Sequence, residues 1–90
     1  MKRILFLCTG NYYRSRFCEE YFNYGAKRRG LSWRADSRGL APDVTVFRNP
    51  GPISPKTLEG LRALGVDLDG DFRYPLPARF IDFDRADRAI

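Results

Sequence analysis

Histidine is absent from this chain, and its absence removes Cys-His and Ser-His nucleophile pairs, imidazole bases and His-ligated metals. Cysteine is scarce. Cys8 and Cys18 form neither a metal-ligand pair nor a C-x-x-C motif, and no disulfide framework is expected. No apolar stretch approaches the roughly 20 residues that cross a bilayer. Met1-Lys2-Arg3 followed by four apolar residues is too short for a signal peptide. The expectation is a cytoplasmic protein with no membrane partner. Repeats and low-complexity tracts are missing too, and 90 residues bound one small domain, 1–90. What remains available is thiolate and carboxylate chemistry on a basic chain of net charge +5.

The informative stretch is Ile4-Leu5-Phe6-Leu7-Cys8-Thr9-Gly10-Asn11-Tyr12-Tyr13-Arg14-Ser15. A continuous apolar run predicts a buried parallel strand over Lys2 to Cys8, ending at a thiol. A short polar loop follows, and Ser15 to about Arg29 reads as a helix. Loops of this kind turn the backbone N–H groups of Thr9, Gly10, Asn11, Tyr12, Tyr13 and Arg14 towards one point, where the helix N-terminus adds positive charge. Such a cradle fits an oxyanion. A thiol at its floor loses its proton more readily, and the thiolate is the nucleophile. Arg14 carries a planar fork that suits two phosphoryl oxygens, and a cation at a helix start needs an anion. Gly10 and Asn11 suit left-handed turns. Ser15 is placed either to cap the helix or to donate to the sulfur. Tyr12 and Tyr13 either line the mouth of the pocket or lie on the surface. The pattern points to thiolate attack on phosphorus, with inorganic phosphate and other oxyanions as inhibitors.

Further along, Phe17, Tyr21 and Tyr24 recur at helical spacing with Cys18 and Phe22 beside them, predicting one apolar face and a core position for Cys18. Lys27, Arg28 and Arg29 suit a helix end, and Gly30 stops it. Leu31, Trp33 and Ala35 alternate with polar residues, as in a half-buried edge strand. Residues 38–53 read as loop. Ser54 and Pro55 open a second helix, with Ile53 and Leu58 as a hydrophobic staple, Leu58, Leu61 and Leu64 inward, and Gly65 at its end. Asp67 to Arg79 reads as connecting loop, and Asp87 to Ile90 as the approach to a third strand. On this reading the first strand keeps an open edge, which self-association would cover.

Cys8 through Ser15, directly after Ile-Leu-Phe-Leu, resembles the phosphate loop of the low molecular weight protein tyrosine phosphatases, which related arsenate reductases share. Trp33-Arg34-Ala35-Asp36-Ser37 and Ser54 through Val66 resemble later parts of that family in order. The resemblance covers the front part of a family domain. It implies an α/β fold, a flavodoxin-like parallel sheet with flanking helices, truncated after the βαβ unit and second helix. It also implies hydrolysis of phosphotyrosine or aryl phosphates, without cofactor or metal. Cys8 would form a phosphocysteine, Arg14 would bind phosphate, Ser15 would stabilise the thiolate, and Asn11 would hold the loop with Ser37 as partner. A pocket wall, often aromatic, would come from residues 38–53, with Phe47 the nearest candidate.

Three departures stand out. Tyr13 occupies the place of a frequent second cysteine, and Arg16 follows Arg-Ser where the family usually has Pro. No Asp-Pro dipeptide, the family's general acid, occurs in the chain. Asp82, Asp84 and Asp87 are the alternative carboxylates. The missing acid supports a competing reading, a phosphate- or phosphotyrosine-binding module without turnover. Arsenate reduction needs relay cysteines that the chain lacks. Nucleic-acid binding is disfavoured, because basic charge with aromatics carries little weight without a reader motif.

Overall fold

The computed structural model describes residues 1–68 and 70–90. Strand β1 (Lys2–Cys8) lies at the centre of a parallel three-stranded sheet, between β2 (Trp33–Gly39) and β3 (Arg88–Ala89). Register with β2 runs from Lys2 opposite Trp33 to Cys8 opposite Gly39. On the other side Ile4 and Leu5 face Arg88 and Ala89, and the N–H of Leu7 donates to the Ile90 carbonyl at 2.8 Å. The expected open edge on β1 is therefore corrected: the last residues pair with it, and the free edges belong to the outer strands. Pairing on both sides explains the continuous apolar run, and Ile4 and Leu5 are buried.

Helix α1 (Arg14–Arg28) departs from a single apolar face. Its buried residues are Ser15, Arg16 and Ala26, whereas Cys18 and Tyr21 are exposed, which corrects the core placement of Cys18. The reason is that α1 meets several neighbours. Glu19 and Asn23 face β2, where Asn23 accepts from the Ala35 N–H (2.7 Å) and donates to its carbonyl (3.0 Å). These bonds cover backbone groups of an edge strand that would otherwise be left open. Phe17 packs beside Gly60 of the second helix, and the Tyr24 hydroxyl donates to the Gly65 carbonyl (3.2 Å). Phe22 meets Phe6 of β1 edge-on, with ring centroids 6.0 Å apart.

The loop expected from residue 38 begins only at 40, because Arg38 and Gly39 still pair with Leu7 and Cys8; residues 40–53 are loop with one 3-10 turn, Val44–Phe47, begun by Asp43 accepting from the Thr45 N–H at 3.0 Å. Helix α2 (Pro55–Ala63) starts as expected, with the Ser54 side chain accepting from the Lys56 N–H and Pro55 in the first turn. Ile53 and Leu61 are buried, but Leu64 is 51 % exposed. The chain turns at Leu64 and Gly65 (φ 78°), and Val66 takes the inward place by donating its N–H to the Leu61 carbonyl. The connecting loop 67–79, whose residue 69 lies outside the described residues, returns along β2. There the Gly39 N–H donates to Leu76 O and the Ala78 N–H to Gly39 O. A short helix α3 (Phe80–Arg85) then leads into β3. The sequence reading missed α3, because six residues with interleaved charge carry little periodicity.

Two glycines separate packing from propensity. A Cβ at Gly39 would lie 2.7 Å from Val44 Cγ1 and 2.9 Å from the Thr9 carbonyl, whereas one at Gly25 in α1 would meet nothing within 4 Å. Gly39→Ala is expected to destabilise by about 1–3 kcal/mol. Gly25→Ala is expected to stabilise by about 0.5–1 kcal/mol. Denaturant unfolding followed by circular dichroism checks both signs.

Candidate active site

The segment between β1 and α1 is pulled open from outside. The carbonyls of Cys8 and Thr9 accept from the N–H groups of Leu40 and Ala41 at 2.8 and 3.1 Å. The Tyr12 carbonyl accepts from the Ser54 N–H (3.0 Å), and the Tyr13 carbonyl from the Thr57 hydroxyl (3.0 Å) and the Phe17 N–H (2.9 Å). With the carbonyls turned outward, N–H groups are left for the interior. Those of Gly10, Asn11 and Ser15 reach the Cys8 sulfur. The Ser15 hydroxyl lies 3.0 Å from it. Burial raises the pKa of the Cys8 thiol, but the hydrogen bonds from the Ser15 hydroxyl and the three N–H groups outweigh burial and hold it below its ordinary value.

The sulfur opens onto a depression of about 330 Å³ lined by Thr9, Gly10, Tyr12, Tyr13, Arg14, Phe47 and Asn49. Arg14, the first residue of α1, and Phe47, the aromatic wall candidate, thus stand at one opening. Ser15 is not a cap: the N-cap position is Tyr13, which makes no side-chain cap bond, and Ser15 sits one residue inside the helix facing the sulfur. Asn11 is left-handed as expected (φ 53°), but Gly10 is not among the left-handed residues. Gly10 serves space instead, since a Cβ there would press on the Phe47 ring at 3.3 Å. The Tyr12 hydroxyl donates to the Pro50 carbonyl (2.6 Å), fixing that ring against the following loop, while Tyr13 is exposed. Ser37 joins the loop through Asn11, whose Nδ2 donates to it at 2.9 Å and to Ser15 Oγ at 2.8 Å.

Beneath the loop lie residues that sequence reasoning did not single out as site residues. Arg73 donates from Nη1 to Asn11 Oδ1 (2.9 Å) and from Nη2 to the Ser37 carbonyl (2.8 Å), and it pairs with Glu19 (3.3 Å) and Asp36 (3.4 Å). Glu19 accepts from the Ser37 hydroxyl. Arg16, 1 % exposed, donates to the carbonyls of Pro52 (3.0 Å) and Arg73 (2.7 Å). Burial and the charge of Arg73 lower the Arg16 pKa, against Glu19, Glu20 and Asp36. The only available signal was Arg16 itself, a charge where the family usually carries Pro. Of the alternative carboxylates, none lines the opening. Asp82 pairs with Arg38 (3.3 Å) and Asp87 accepts from the Arg3 N–H (2.7 Å) towards the far end of β1.

A family model described as low molecular weight phosphotyrosine protein phosphatase matches residues 3–90. The chain belongs to this phosphatase family. Solved structures agree. The low molecular weight protein tyrosine phosphatase of T. tengcongensis superposes with TM-score 0.76 at 34% identity, over 100% of this chain and 57% of its own. YfkJ from Bacillus subtilis gives TM-score 0.78 at 30% identity, over 99% of this chain and 54% of its own. A Bacillus subtilis low molecular weight phosphatase solved in solution gives 0.71 at 28%, over 97% and 53%. The chain spans a little over half the length of these relatives. No curated protein matches it. The flavodoxin-like parallel sheet expected of the phosphatase fold is the one described above.

Asp36 beside Ser37 gives the site a pH signature. Burial raises its pKa, but the Ser37 N–H, Arg38 and Arg73 together hold it below the ordinary carboxylate value. A carboxyl depressed in the folded state adds stability above its unfolded pKa of about 4 and loses it as pH falls through the folded value. Asp36→Asn is expected to lower stability at neutrality and to flatten the acid limb below about pH 4. Thermal unfolding from pH 2 to 7 measures both.

Proposed function

We propose that this chain carries the nucleophilic and phosphate-binding part of a phosphomonoesterase acting on phosphotyrosine in proteins or on small aryl phosphates. The observation that carries the reading is the Cys8 sulfur, held by the Ser15 hydroxyl and the N–H groups of Gly10, Asn11 and Ser15 at the floor of an opening walled by Arg14 and Phe47. The phosphoryl oxygens sit among the N–H groups from Thr9 to Arg14, with the Arg14 fork on two of them. The Cys8 thiolate attacks phosphorus, the S–P bond forms as the ester P–O bond breaks, and the aryl oxygen leaves with the bonding pair. Water then attacks the phosphocysteine, releasing phosphate and restoring the thiolate. Phe47, Tyr12 and Tyr13 offer apolar surface to an aryl group at the mouth. Phosphate and other oxyanions compete for the same cradle. No metal or cofactor enters these steps.

The second reading is a phosphate- or phosphotyrosine-binding module without turnover. It is favoured by one observation: among the described residues, those that line the opening include no carboxylate, so none of them stands ready to protonate the leaving oxygen. That proton transfer is typically worth about 10²–10⁴ in rate. Reactivity of Cys8 and the leaving group separate the two readings. Iodoacetate is expected to alkylate Cys8 ahead of Cys18, with phosphate or vanadate protecting Cys8; equal labelling without protection removes the site. Cys8→Ser is expected to abolish turnover while keeping phosphate affinity within about tenfold, because the N–H cradle is intact. Arg14→Lys loses the fork and should weaken oxyanion binding. p-Nitrophenyl phosphate should be cleaved slowly and phosphotyrosine far more slowly. Oxyanion protection with no cleavage of either ester assigns the binding module.

A further inference from the structure

We propose that Arg73, braced by Arg16, is a positioning residue that fixes the orientation of the Asn11 amide and thereby aims the Ser15 hydroxyl proton at the Cys8 sulfur. The inference rests on the reading of Cys8 as nucleophile. Its ground is a matter of donors and acceptors. Arg73 and the Leu76 N–H can only donate, and both point at Asn11 Oδ1, at 2.9 and 3.1 Å. A flipped amide would set its NH2 group against two donors, so the oxygen must face them. Nδ2 is then turned to Ser15 Oγ (2.8 Å) and Ser37 Oγ (2.9 Å) and spends one hydrogen on each. As a thiol, Cys8 donates its S–H to Ser15 Oγ at 3.0 Å; as a thiolate the sulfur can only accept, and Ser15 Oγ, already accepting from Asn11, has one proton of its own to give it. The Ser37 hydroxyl is kept out of competition because it donates to Glu19. The chain of donors runs from a fixed cation to the nucleophile, Arg73 to Asn11 to Ser15 to Cys8, and bonds in such a chain polarise one another in one direction.

Arg16 explains why the guanidinium of Arg73 sits where it does. It holds the backbone carbonyls of Pro52 and Arg73 in one fork, tying the connecting loop to the segment before α2. It does so at a cost, since its Nε is buried without a partner among the described residues. The charged groups that face this clasp are Glu19 and Glu20 of α1 and Asp36 of β2. Asp71 of the connecting loop, and Arg3 and Arg34 of the strands, complete its surroundings. On the opposite side of the loop, the charged group facing Cys8 is Arg14.

The test is the pH dependence of Cys8 alkylation by uncharged iodoacetamide, read by peptide mass spectrometry on the whole chain with Cys18 as internal reference. Arg73→Met is expected to move the Cys8 profile up by about one pH unit, slowing alkylation at neutral pH by up to about tenfold while Cys18 is unchanged. Arg73→Lys, which keeps a cationic donor, should recover most of the shift. In a Ser15→Ala background Arg73→Met should add no further shift, because the effect passes through the hydroxyl. A folded Arg73→Met with the parental profile, or an equal further shift in the Ser15→Ala background, overturns the proposal. Should Arg73→Met not fold, Asn11→Asp decides when it is also made in the Ser15→Ala background, which isolates the effect of the new charge: it keeps an acceptor for Arg73 and Leu76 but cannot donate to Ser15, so the profile must rise, and rise further with Ser15 present than without it. An unchanged profile there also overturns the proposal. Failure of the underlying reading looks different, since the parental Cys8 itself would then alkylate like Cys18 and ignore phosphate.

Discussion

One primary amide joins the parts of this structure that matter for chemistry. The Asn11 side chain is fully buried, and each of its hydrogen-bonding positions is filled: two acceptor sites by Arg73 and Leu76, two donors by Ser15 and Ser37. Each unmade bond in such a place would cost about 1–3 kcal/mol. The backbone of the same residue is left-handed, a conformation that Asn tolerates better than most side chains. Asn11 thus bends the phosphate loop through its backbone and ties it to α1, β2 and the connecting loop through its side chain. The placement of the sulfur, the Ser15 hydroxyl and the inward N–H groups depends on that joint.

What could be read from the sequence was what is local along the chain. β1 matched its predicted bounds because a parallel central strand writes itself as a continuous apolar run. The start of α2 was legible because Ser54, Pro55 and Ile53 act on groups within a few residues of themselves. Asn11 and Ser37 were linked only by family resemblance, because 26 residues separate them and nothing in composition joins them. Arg73 was invisible for the same reason, 62 residues from its partner in a stretch that reads as loop. Cys18 and Leu64 were misplaced by helical periodicity. Periodicity assumes one buried side, whereas α1 presents Glu19 and Asn23 to one neighbour, Phe17 and Tyr24 to another and Phe22 to a third.

The basic composition also changes meaning once the fold is known. Part of the charge is internal. Arg16, Arg38 and Arg73 answer backbone carbonyls and the carboxylates of Glu19, Asp36 and Asp82. These three cations and three carboxylates cancel, so the fold withdraws arginines from the surface without lowering the net charge of +5 carried by the other side chains. Arg14 differs from these, standing at the rim of the opening over the sulfur.

The outward carbonyls of the phosphate loop have a kinetic meaning. The partners that hold the loop open, Leu40, Ala41, Ser54 and Thr57, come from segments roughly 30 to 45 residues downstream of the loop, and Arg73 and Leu76 from further still. Closing loops of that length precedes any reward from the contacts they make. The proposed anion cradle consequently has no existence as a local motif: it is assembled by the same events that bring these distant segments together. On the proposed reading, an oxyanion bound there would stabilise the whole fold by mass action, since it would meet no site in the unfolded chain.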